Sequence, residues 1–242
     1  MKALIFAAGL GTRLQPLTLT KPKALVEING VTLLEIAIRK LQSHGFSEIV
    51  INVHAFGSQI IDFIQSNSFD AKIVISDERD LLLDTGGGLA KAMNCFSDSA
   101  PFLAYNVDII TNVNLAKFYQ DHLSSKAIAS VLVRERETSR YLLFDNHMNL
   151  SGWRNKATGE EIIVDENADN LKEFAFSGIH AVDPKISSYF PQNQSSYPII
   201  PIYLSAAKNE IIKGVVDDNS SWFDVGKVSQ LKEAEAYLAK IR

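Results

Sequence analysis

An apolar run of strand length, Lys2–Phe6, passes directly into Ala7-Ala8-Gly9-Leu10-Gly11-Thr12-Arg13 and, beyond Pro16, into Pro22-Lys23. No other stretch narrows the possible folds as far. Gly9 and Gly11 let the backbone turn sharply and let a ligand approach bare N–H groups. Successive exposed N–H groups form a concave anion site. Arg13 adds a rigid fork for phosphate, and Lys23 adds a movable point charge. A strand that runs into a glycine-rich loop flanked by cations points to a polyphosphate ligand.

Two commoner glycine loops do not fit. A Walker loop needs Gly-x-x-x-x-Gly-Lys-Ser/Thr, and the chain has no such string. A dinucleotide loop needs Gly-x-Gly-x-x-Gly, but Leu14 holds the third glycine position. Pro16 and Pro22 mark an extended, irregular segment where a helix would otherwise start. A bare Gly-x-Gly is equally compatible with a plain turn and two surface lysines. Gly-x-Gly-Thr-Arg followed by Pro-Lys is far more specific.

The first half of the chain alternates short apolar runs with amphipathic stretches. Lys2–Ala7, Glu48–Val53, Ala71–Ile75, Pro101–Tyr105 and Ala127–Val133 read as buried strands. Leu33–His44, Gln59–Gln65, Leu89–Phe96 and Leu115–His122 read as helices; in the first, Leu33, Leu34, Ala37, Ile38 and Leu41 recur at helical spacing. The alternation predicts an α/β fold, a parallel sheet with helices on both faces. Ligands gather at the carboxyl ends of such strands, where the glycine loop and Asn106-Val107-Asp108 both fall. The second half breaks the rhythm. Tyr141–Phe144, Ile162–Val164, Glu173–Val182 and Ile211–Val216 read as strands, with turn-rich pieces between. Ile199–Ala207 reads as a short helix and Val228–Lys240 as a closing one.

A length of 242 residues suffices for one large core. The net charge of −4 gives no general attraction to nucleic acid or anionic membrane, so an anionic ligand must be held by local cations. The one cysteine, Cys95, excludes an internal disulfide and a cysteine zinc cluster. No leader-like segment and no membrane-length apolar run stand out, and a cytoplasmic protein is expected.

The loop string Gly9-Leu10-Gly11-Thr12-Arg13 with Pro22-Lys23 resembles the signature of the sugar-1-phosphate nucleotidylyltransferases. The resemblance continues through Asp84-Thr85-Gly86-Gly87-Gly88, Asn106-Val107-Asp108, Phe176-Ser177-Gly178-Ile179 and Trp222-Phe223-Asp224-Val225-Gly226. It is nearest to the N-acetylmuramate 1-phosphate uridylyltransferases and the mannose-1-phosphate guanylyltransferases. It implies a Rossmann-like three-layer nucleotidyltransferase fold with a mixed, mostly parallel central sheet. It also implies a single domain over 1–242, with residues 1–135 serving the nucleotide and 136–242 the acceptor and the C-terminal helix.

The implied reaction joins a sugar 1-phosphate to the α-phosphorus of a nucleoside triphosphate and releases pyrophosphate. By resemblance, Arg13 holds the triphosphate and Lys23 sits near the reacting phosphates; as isolated letters, they would be surface cations. Asp108 and Asp224 would bind Mg²⁺, which favours one or two carboxylates together with substrate phosphates. Each aspartate alone would read as a turn or cap residue. Ala8, Gly9, Gly11, Thr12, Thr85 and Gly87 would bind the nucleotide, and Asn106 and Gly178 the sugar. Trp153 fits a sugar face or a core position equally. The charged acceptor-binding residue stays open among Glu161, Glu166 and Lys172. His54 reads as structural.

Two positions depart from the family pattern. Val107 puts a β-branched side chain where glycine is usual, beside the ribose, and Lys227 follows Gly226 where threonine is usual. UTP with N-acetylmuramate 1-phosphate is the leading pair, followed by GTP with mannose 1-phosphate or a heptose 1-phosphate. A non-catalytic nucleotide-sugar sensor or regulatory subunit is the reading from another class. The sequence leaves monomer and homodimer open.

Overall fold

The computed structural model describes residues 1–164, 170–226 and 228–241. Chain order begins with β1 (Lys2–Phe6), the hairpin β2 (Glu27–Ile28) and β3 (Val31–Thr32), and α1 (Leu33–Ser43). There follow β4 (Glu48–Val53), α2 (Gly57–Ser66), β5 (Lys72–Asp77), α3 (Asp84–Met93), β6 (Phe102–Asn106), β7 (Ile109–Thr111) and α4 (Leu115–Ser124). The second half holds β8 (Ala129–Arg134), β9 (Arg140–Phe144), β10 (Leu150–Asn155), β11 (Glu160–Ile163) and β12 (Lys172–Val182). It closes with α5 (Ile199–Ala206), β13 (Ile212–Val216), β14 (Trp222–Asp224) and α6 (Val228–Ile241).

The main sheet has ten strands in the order β11-β10-β9-β12-β6-β1-β4-β5, with β8 beside β12 and β13 beside β8. The strands β6, β1, β4 and β5 run parallel, whereas β12 is antiparallel to β6, β8 and β9. This is the three-layer α/β architecture expected. Along β1, Ala3 and Ile5 join the core on one face and Leu4 the core on the other. Strands covered on both faces lose the polar alternation and become continuous apolar runs, which made them readable. Helices α1, α4 and α6 contribute to the first core, and α3 and α5 to the second. Thr32 caps α1 by accepting from the Glu35 N–H at 3.1 Å, the first half of a capping-box sequence.

Three expectations change. Helix α3 starts at Asp84, not Leu89, so the glycine run is helical. Close packing overrides the poor helix propensity of glycine there: a Cβ at Gly87 would stand 2.1 Å from the Ser195 carbonyl oxygen, and one at Gly88 2.9 Å from the Asn52 and Glu78 side chains. Strand β10 occupies a stretch not read as a strand, and β7 and β14 form a separate ladder. Glu166 and Lys227 lie outside the described residues. Among those described, no helix is long and apolar enough to cross a membrane.

Candidate active site

A cleft of about 540 Å³ opens at the carboxyl edge of β1, β4 and β6. That volume falls in the range of small-molecule sites. Its charged end carries Arg13, Lys23, Asp108 and Gly226, while its other end carries Ala8, Asn52, Glu78, Leu82 and Thr85.

The floor is the loop after β1. Gly11 has φ +64°, a conformation glycine adopts without penalty. A Cβ there would meet Lys23 Cβ at 3.0 Å, and the Thr18 hydroxyl donates to the Gly11 carbonyl at 2.8 Å. The loop is thus folded tightly onto Thr18 and Lys23. Among the described residues, nothing accepts from the N–H groups of Gly9, Leu10, Gly11 or Thr12. These four N–H groups stand open on the floor of the cleft. The Ala8 N–H is already committed to Asn52 Oδ1 at 3.2 Å.

Asp108 and Asp224 are brought together by the β7–β14 ladder, in which Asp224 pairs with Ile109. The Val225 N–H donates to the Asp108 carbonyl at 2.9 Å and locks that register. Lys23, with a side chain 11% exposed, donates from Nζ to Asp108 Oδ2. Asp224 Oδ1 is buried with no hydrogen-bond partner. Burial, then the neighbouring charge of Asp108, push the Asp224 carboxyl up from the usual carboxylate range, against the pull of Lys23, Arg13 and Arg136. Gly226 keeps this corner open, since a Cβ there would lie 2.8 Å from Asp224 Oδ1 and 2.9 Å from Arg13 Nη2. Arg13 has no carboxylate partner among the described residues.

At the opposite end, Asn52 Oδ1 accepts from the N–H groups of Ala7 (2.7 Å) and Ala8 (3.2 Å), and its Nδ2 donates to Glu78 Oε1 at 2.9 Å. Glu78 is 1% exposed, lines the cleft, and has no partner at Oε2. Burial pushes its carboxyl up from the ordinary range, more than the Asn52 hydrogen bond lowers it. His54 Nδ1 lies 2.7 Å from the Glu78 carbonyl and donates to it, a structural role as expected.

Asn106 and Gly178 also meet. Gly178 has φ +77° where the β12–β8 register slips, and a Cβ there would lie 2.9 Å from Asn106 Nδ2. Thr85 lines the cleft, with its hydroxyl accepting from the Ile199 N–H at 3.0 Å. The Gly87 N–H donates to the Tyr197 carbonyl at 3.2 Å. Val107 is buried in the first core as well as lining the cleft. Trp153 packs against the second core. Glu161 is engaged by Arg154 at 2.9 Å on the outer strands, and Lys172 is exposed at the start of β12, so neither joins the cleft. Sequence reasoning missed Asn52 and Glu78. Asn52 left a signal, as a polar residue inside the fully buried strand β4; Glu78 left only its place just past β5.

The sequence model of the nucleotidyl transferase family matches residues 2–241. The chain belongs to that family. The N-acetylmuramate alpha-1-phosphate uridylyltransferase of Neisseria meningitidis serogroup B is 30% identical over 237 residues, covering 98% of this chain and 97% of its own. The enzyme of the same name from Caulobacter vibrioides is 28% identical over 247 residues, covering 98% and 97%. The crystal structure of HddC from Yersinia pseudotuberculosis, complexed with GMP-PN, superposes with a TM-score of 0.78 at 21% identity, over 98% of this chain and 99% of that one. The nucleotidyltransferase shares its fold with these neighbours and its family with the relatives that the motifs pointed to.

Proposed function

We propose that this nucleotidyltransferase transfers a uridylyl group from UTP to N-acetylmuramate 1-phosphate, forming a UDP-sugar and releasing pyrophosphate. The observation that carries nucleotidyl transfer is the meeting of Asp108 and Asp224, one with an orphaned buried oxygen, beside a loop of free N–H groups. A sugar-phosphate oxygen forms a bond to the α-phosphorus, the bond from the α-phosphorus to the bridging oxygen breaks, and the electron pair leaves with pyrophosphate. Both reactants are anions, so catalysis rests on positioning and charge.

The free N–H groups of Gly9–Thr12 and the Arg13 fork bind the triphosphate and balance charge on the departing pyrophosphate. Lys23 orients Asp108 and offers its remaining N–H donors to the reacting phosphates. Two carboxylates, with no cluster of three or more acidic, histidine or cysteine side chains among the described residues, suit Mg²⁺, which takes one or two carboxylates and completes its shell with phosphate and water. Mg²⁺ bound there would neutralise phosphate charge between the two substrates. Asn106 and Gly178 border the sugar, in keeping with a nucleotide part over 1–135 and an acceptor part over 136–242.

The uracil preference is supported by the two relatives matched over nearly their full lengths, and Glu78 is the side chain placed to test it. A protonated Glu78 accepts from Asn52 at Oε1 and donates from Oε2, which suits a uracil carbonyl. An ionised Glu78 only accepts, which suits the N–H edge of guanine. Burial raises its pKa; the ionised state would suit a GTP-dependent mannose 1-phosphate or heptose 1-phosphate enzyme. A pyrophosphate-release screen crossing UTP and GTP with these sugar 1-phosphates, with and without Mg²⁺, tests the reading. Turnover with UTP and N-acetylmuramate 1-phosphate supports it, and a GTP-only enzyme overturns the base assignment. Tight nucleotide-sugar binding without turnover for any pair would instead mark a sensor.

A further inference from the structure

Arg136 lies two residues beyond β8. Its guanidinium stands 4.9 Å from the centre of the Trp222 ring, and that of Arg134 stands 5.2 Å from the same ring. The indole is fixed by its Nε1 donating to the Ser177 carbonyl at 2.9 Å. Trp222 and Asp224 alternate along β14 and therefore share a face. The two arginines differ in their partners. Arg134 is tied to the Asp217 carboxylate at 3.5 Å and to the carbonyls of Asp217 (2.7 Å) and Ser220 (3.2 Å). Both leave a buried Nε without an acceptor, but Arg136 reaches only the carbonyls of Phe176 (3.2 Å) and Glu137 (3.5 Å), and among the described residues it has no ion pair. A half-buried cation with no ion pair of its own is placed to take up a ligand's negative charge.

We propose that Arg136, held over the Trp222 ring, is the acceptor-side anion anchor and binds the 1-phosphate of the incoming sugar phosphate. The proposal rests on the reaction assigned under Proposed function. Two arginines from different elements lie in the neighbourhood of Asp224, Arg13 across Gly226 and Arg136 over Trp222 on the same strand face. Arg13 comes from the loop after β1, and Arg136 from the segment after β8. Two anionic substrates that meet at one carboxylate pair need one such cation each. The Phe176 carbonyl that orients Arg136 stands two residues before Gly178, so the anchor adjoins the strand segment assigned to the sugar. Neither the Phe176 nor the Glu137 carbonyl carries a full charge, so the guanidinium over the indole retains N–H capacity and an unbalanced charge for a phosphate oxygen.

Calorimetric titration of wild-type, R136Q and R136K proteins tests this, in Mg²⁺ and a UTP analogue with a non-hydrolysable α–β bridge. The ligands are N-acetylmuramate 1-phosphate and glucose 1-phosphate, which lacks a carboxylate. R136Q should weaken both by the same factor, about 10- to 100-fold as expected for a lost charge-assisted hydrogen-bond pair, and raise the acceptor KM alike. UTP affinity should stay within about twofold, and R136K should recover part of the loss. Unchanged acceptor affinity, a loss confined to the carboxylate-bearing sugar, or a parallel loss of UTP affinity would each overturn the proposal. If the wild-type protein turns over no sugar 1-phosphate, the assigned reaction fails, and titration with inorganic phosphate still decides. A phosphate site lost in R136Q upholds the anchor, and unchanged phosphate binding removes it.

Discussion

Asp224 occupies a position where a carboxylate destabilises the fold, because it is desolvated, faces Asp108, and leaves Oδ1 without a donor. Removing its charge should therefore stabilise the metal-free protein while ending catalysis. For Asp224→Asn we expect a Tm about 2–4 °C higher in a chelator, the shift that roughly 1 kcal/mol produces at this size, with turnover reduced at least about 100-fold. A lower Tm in calorimetry would show that the carboxylate is already satisfied. Asp108→Asn should also abolish Mg²⁺-dependent turnover with the fold intact, and near-normal activity would remove it from the metal site. Glu78→Gln places an amide N–H where a protonated acid carries its O–H. It should keep UTP turnover within about threefold and suppress any GTP turnover. A collapse of UTP turnover in steady-state kinetics would mean that Glu78 acts as a carboxylate.

The elements differ in how plainly the sequence shows them. Strands β1, β4 and β6 are covered on both faces, so their apolar runs stood out, and the ligand edge followed from them. Strands β7 and β14 are three residues each, too short for any periodicity. Yet their ladder sets Asp224 beside Asp108, so motif letters alone pointed to the pair. The helical glycines of α3 were hidden because propensity argues against them, and only contacts with Ser195, Asn52 and Glu78 account for them. Arg136 had no signal, since its meaning depends on Trp222, distant in sequence. Strand β12 also carries a pH-sensitive feature. His180 is buried, with Nδ1 against the Tyr203 hydroxyl, and burial pushes it down to about 3. Its ordinary value in the unfolded chain is about 6.5. The neutral ring therefore contributes stability that is full above about pH 6.5 and is lost as pH falls towards 3. The slope reaches about 1.4 kcal/mol per pH unit. Urea unfolding should show a steeper loss between pH 7 and pH 5 in the wild type than in His180→Gln. Equal slopes would contradict the buried neutral assignment.

Across the whole molecule, the carboxyl edge of the parallel strands joins the glycine loop, the Asp108–Asp224 pair and the Asn106–Gly178 corner. In the proposed reading the glycine loop and Arg13 would serve one substrate, whereas β12, β14 and the segment after β8 would serve the other. Ligand linkage should then be large. UTP with Mg²⁺ at about 100 times its Kd should raise the Tm by about 5–10 °C, and UTP in chelator by clearly less. Equal shifts in a thermal-melt assay would separate nucleotide binding from the metal. The central claim is that Asp108 and Asp224 hold an ion on which uridylyl transfer depends. Its most direct test is pyrophosphate release from UTP and N-acetylmuramate 1-phosphate, measured against Mg²⁺ concentration for the wild type and Asp108→Asn. The account predicts saturable, Mg²⁺-dependent release that vanishes in the variant. Release that persists in chelator, or that Asp108→Asn leaves unchanged, would contradict it.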